Sequence, residues 1–62
     1  MTAGPQLSSI RTSLGELTTK VSDMAESLSG TERDDLAIAL FDVERALDAA
    51  ARRLDRVVDS LY

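Results

Sequence analysis

The chain has 62 residues with seven Lys or Arg against eleven Asp or Glu, a net charge of −4, and neither cysteine nor histidine. These counts exclude a disulfide framework, a Cys/His metal site and a thiol nucleophile, and the negative balance disfavours unaided binding to phosphate backbones or anionic lipid. A single domain this short lies below the roughly 70 to 80 residues at which a lone core usually suffices, which leaves oligomerisation as the support.

Met1 to Gly4 reads as a short polar lead. Pro5 suits a first helical turn, where its missing N–H costs nothing, and the first helix is expected over about 5–29. Its apolar residues Leu7, Ile10, Leu14, Leu17, Val21, Met24 and Leu28 alternate steps of 3 and 4 without a misplaced member, the spacing of a heptad seam. Around that seam lie Ser, Thr and Gly, all weaker helix formers than Ala or Glu. The first helix is therefore expected to draw its helicity from packing on a neighbour. Ser8, Gly15, Ser22 and Ser29 recur every seven residues, a line of small side chains along one flank.

Ser29, Gly30 and Thr31 make the one convincing break, a turn over 29–31. Gly30 suits a left-handed cap closing the first helix, Thr31 an N-cap opening the second, and Asp34 an approximate capping box. Glu32, Asp34 and Asp35 place negative charge where the second helix's dipole favours it. That helix is expected over about 32–61, roughly 45 Å of helix at 1.5 Å per residue. Its seam runs through Leu36, Leu40, Val43, Leu47, Ala50 and Leu54, continuing to Val57 and Leu61.

A connection this short makes the two helices antiparallel neighbours. Pairing Met24 with Leu36, Val21 with Leu40, Leu17 with Val43, Leu14 with Leu47, Ile10 with Ala50 and Leu7 with Leu54 gives residue numbers that always add to 60 or 61. The expected fold is all-α, one antiparallel two-helix hairpin that dimerises into a four-helix bundle, because two helices alone leave the edges of their seam open.

The second helix also carries apolar residues off its seam: Ile38 and Phe41 near the turn, Val58 and Tyr62 at the far end. With Arg45, Asp48, Ala49, Arg52, Asp55 and Leu61 they form the expected oligomer or partner interface. An antiparallel pairing of this helix with its copy, its axis near Ala49 and Ala50, would set Asp48 against Arg52 and Arg45 against Asp55 of the other chain.

No chemistry competes with this reading. Glu44 with Asp48 and Asp55 with Asp59 read as a solvated face, and the arginines at 45, 52, 53 and 56 are interrupted by Asp48, Asp55 and Asp59. The serines and threonines have no histidine base. No catalytic residue, cofactor, metal or small-molecule substrate is expected, and no nucleic-acid or membrane partner. The expected function is a non-enzymatic interaction module that binds itself and another protein as an adaptor, scaffold or regulator. The alternative is an obligate hetero-partner, such as a small chaperone, antitoxin-like inhibitor or subunit, whose open seam a different protein closes. No leader-like or membrane-length apolar run is visible, so a cytoplasmic location is expected. Six arginines against Lys20 alone suggest a GC-rich bacterial genome.

Overall fold

A computed structural model describes residues 3–61, and among them there are two helices and no strand. Helix α1 spans Ala3–Leu28 and helix α2 spans Asp34–Asp59, packed against each other as a hairpin. Neither helix is long and apolar enough to cross a membrane.

α1 already includes Ala3 and Gly4, so the lead expected over Met1 to Gly4 is helical in its second half. Met1 and Thr2 lie outside the described residues. Pro5 sits in the first turn, where its nitrogen would have no intrahelical acceptor. The hydroxyl-rich body of α1 satisfies itself: Thr12 donates to the Ser8 carbonyl, Thr18 to Leu14, Thr19 to Gly15 and Ser27 to Met24, at 2.8–3.2 Å. Side chains that would otherwise compete with the helix are thereby tied to its own backbone.

Gly30 has φ of +77°, the left-handed conformation expected of it, and Thr31 donates its N–H to the Leu28 carbonyl at 3.2 Å. The N-terminus of α2 differs from the expected capping box. Arg33 precedes the helix, and no side chain caps it. The Thr31 hydroxyl instead donates to the Leu28 carbonyl (2.6 Å) and accepts the Arg33 N–H (3.2 Å), while the Asp34 carboxylate accepts the Gly30 N–H at 2.7 Å. Both side chains bond into the turn, which takes up two more residues than the expected 29–31: Thr31 falls inside it and Asp34, the first residue of α2, reaches back to it. Asp34 and Asp35 remain in the first turn, where the dipole favours them. The Arg33 guanidinium, bonded to Asp35 at 3.2 Å, holds that carboxyl below its ordinary range. At the other end the Ser60 hydroxyl lies 2.9 and 3.0 Å from the Arg56 and Val57 carbonyls, and α2 stops at Asp59 rather than reaching Leu61.

The line of closest approach between the helices is not the leucine seam. The buried residues among those described are alanines: Ala25 on α1, Ala37 and Ala51 on α2. Stepping by seven from them, Arg11 and Thr18 join Ala25, and Glu44 and Val58 join Ala37 and Ala51, all at least half-buried. Small side chains there let the backbones approach, and the bulkier leucines are turned to one side of that line.

Candidate interaction face

In a hairpin whose helices coil about each other, residues seven apart share a line along the helix surface. Leu7, Leu14, Val21 and Leu28 form the line beside the contact on α1, as Leu40, Leu47 and Leu54 do on α2, and these are half-buried. The remaining seam residues lie one line further out. Ile10 and Met24 are 54% exposed, Leu17 is 49%, and Leu36, Val43, Ala50 and Val57 are likewise exposed. Both seams are displaced from the contact line in the same rotational sense. For antiparallel helices that sense brings both displacements to the same side of the two-helix layer. The expected intramolecular seam is therefore only partly closed within one chain, and its open part forms one continuous apolar face.

That face is large for the molecule. The Cα atoms extend 50 × 15 × 9 Å, so the broad side of the layer projects about 750 Å². The radius of gyration is 14.5 Å, where a compact chain of this length would have about 10.5 Å. The accessible surface is 4559 Å², against about 3900 Å² for a compact monomer of this mass. The face's outer rims carry Ser13, Lys20 and Ser27 on α1 and Ala39, Ala46 and Arg53 on α2, all exposed and without a carboxylate among them.

The opposite side of the layer is small on α1 and mixed on α2. Ser8, Gly15 and Ser22 line it on α1, Phe41, Asp48 and Asp55 on α2. Arg11 reaches across from the contact line to bond Asp55, Nε to Oδ1, at 2.7 Å, both side chains part-exposed. A Cβ built on Gly15 would stand 3.5 Å from the Arg11 Nη1, so the guanidinium lies over the small-residue line.

Of the residues expected to form an outer interface on the second helix, Ile38, Phe41, Arg45, Asp48, Ala49, Arg52 and Asp55 share the side of α2 away from the apolar face, whereas Val58 falls on the contact line and Leu61 beyond it. Ile38 stands 63% exposed on that shared side, whereas Phe41, which flanks the line facing α1, and Val58, which occupies it, are half-buried; Ala49, two residues from Ala51 and so turned away from α1, is also half-buried. Asp48 and Arg52 are exposed, Arg45 lies 3.6 Å from Asp42 of its own helix, and Asp55 is engaged by Arg11 rather than left for Arg45 of another chain. Leu61 is 42% exposed at the end of the apolar face, and Tyr62 lies outside the described residues. Arg11 and Ala25 are not marked out by the heptad pattern of leucines. The signal available for them was the recurrence of small or polar residues every seven positions directly beside the leucines.

Charge is distributed unevenly along the hairpin. Residues 16–47, the half next to the turn, hold three cations and eight carboxylates, a net of −5. The open half, 3–15 and 48–61, holds four cations and three carboxylates, a net of +1. No group of three or more carboxylates is placed to hold a metal ion among the described residues. No protein-family model, curated protein or solved structure matches the chain.

Proposed function

We propose that the protein is a non-enzymatic interaction module that associates with a second copy of itself into a four-helix bundle, serving in the cytoplasm as an adaptor, scaffold or regulator. The observation carrying this reading is the continuous apolar face. It runs along the broad side of a layer 50 Å long and 15 Å wide and is lined by Leu17, Met24, Leu36 and Val43, all exposed in the single hairpin. Extended contiguous apolar patches are uncommon on monomers and accompany binding. The net charge of −4 and the short apolar stretches support a protein partner over nucleic acid or a membrane.

Sedimentation equilibrium of the purified chain, followed together with circular dichroism, tests the reading. A folded dimer is expected. A chain that stays monomeric and unfolded, gaining helix only when another protein is supplied, would replace it with the obligate hetero-partner.

A further inference from the structure

The apolar face alone accommodates two ways of stacking a second hairpin on the first. In one, the turns lie at the same end and α1 of each copy covers α2 of the other. In the other, the turns lie at opposite ends and each helix covers its own copy, antiparallel. We infer that the second arrangement is the one formed, an inference that rests on the self-association proposed above and adds its orientation.

One observation points to it, and a second is compatible with it. The first is the charge asymmetry along the hairpin. With the turns together, the two halves of net −5 stack on one another; with the turns apart, each meets a half of net +1. Like-charge juxtaposition disfavours the first and opposite charge favours the second.

The second is registry. In α1, an antiparallel copy places Leu14 on Leu17, Ile10 on Val21 and Leu7 on Met24, every pair adding to 31, so the two-fold axis crosses between Gly15 and Glu16 at the middle of the helix. In α2 the matching pairs, Leu47 on Ala50 and Val43 on Leu54, add to 97, and the axis crosses between Asp48 and Ala49. One straight axis can serve both helices only if those two crossings are level within the hairpin, which requires facing residues to add to about 64. The facing helix ends, Leu28 and Asp34, add to 62, and the ion pair of Arg11 with Asp55 adds to 66. The required value lies between them; because Leu17 on Leu47 and Val21 on Val43 of a turns-together stack also add to 64, registry accommodates both arrangements and charge is what separates them. The rims are compatible as well, since their serines and alanines allow close approach.

A nitroxide attached through Ser29→Cys, at an exposed site in a chain without cysteine, reads the arrangement by pulsed electron paramagnetic resonance. Residue 29 lies about 13 to 14 residues from the inferred axis, so at 1.5 Å per residue the two labels should stand roughly 40 Å apart. A single distance near that value, in protein that sediments as a dimer, is the expected result. A dimer with labels within about 20 Å of each other, a little more than one helix pair across, would overturn the orientation while leaving self-association intact. A folded monomer with no dipolar coupling would overturn self-association itself.

Discussion

At Gly15 a helix interior holds the residue least suited to it, at a cost of about 1 kcal/mol relative to alanine. The built Cβ meets only the far end of the Arg11 side chain, at an ordinary contact distance of 3.5 Å. Gly15→Ala should therefore stabilise the protein by about 1 kcal/mol, or roughly 4 to 8 °C in melting temperature for a domain of this size. Thermal denaturation checks it. A loss of stability or of the dimer would mean that another helix uses the small-residue line of Ser8, Gly15 and Ser22. The ion pair beside it, Arg11 with Asp55, is part-exposed and belongs to the class worth at most about 1 kcal/mol. Its value to the fold lies more in marking which turns of α1 and α2 are level than in holding them together.

The helices themselves were largely legible in the sequence, and their mutual rotation was not. Two uninterrupted heptads separated by Gly30 dictate a hairpin, and Gly30 takes the left-handed conformation that the break requires. What the heptad does not reveal is which of its neighbouring lines faces the other helix of the same chain. A leucine seam can serve one partner helix or be shared among several, and its spacing is the same in both cases. Here Ala25, Ala37 and Ala51 occupy the contact line, and the leucines are shared between the hairpin and the open face. The capping of α2 was misread for a related reason: Thr31 and Asp34 have the spacing of a capping box, but equally of a stitched turn, and only the backbone decides. Ala25, with no exposed surface, gives this account a test at the level of packing. Ala25→Leu should force the helices apart and destabilise the fold by about 1 to 3 kcal/mol, the usual cost of overpacking, measurable by urea denaturation. A neutral outcome would mean that the helices do not meet along the alanine line.

For the whole molecule, shape and charge converge on association. A 50 Å layer one helix thick has too little interior to bury its own leucines, so folding and dimerisation are expected to be one concentration-dependent event. Sequence length alone pointed to outside support, and the seam residues supplied the surface; the assignment of that surface to one side of the layer came from their exposure. Leu17 and Ile38 separate the two sides most cleanly, because both are exposed in the single hairpin, at 49% and 63%, yet lie on opposite sides of it. The decisive measurement is the concentration dependence of thermal unfolding for Leu17→Asp and Ile38→Asp, monitored by circular dichroism. The account predicts that Leu17→Asp, placing a carboxylate in the centre of the apolar face, loses the dimer and most of the helical signal, while Ile38→Asp unfolds like the parent chain and with the same dependence on concentration. Equal tolerance of both substitutions, with unfolding independent of concentration, would contradict it.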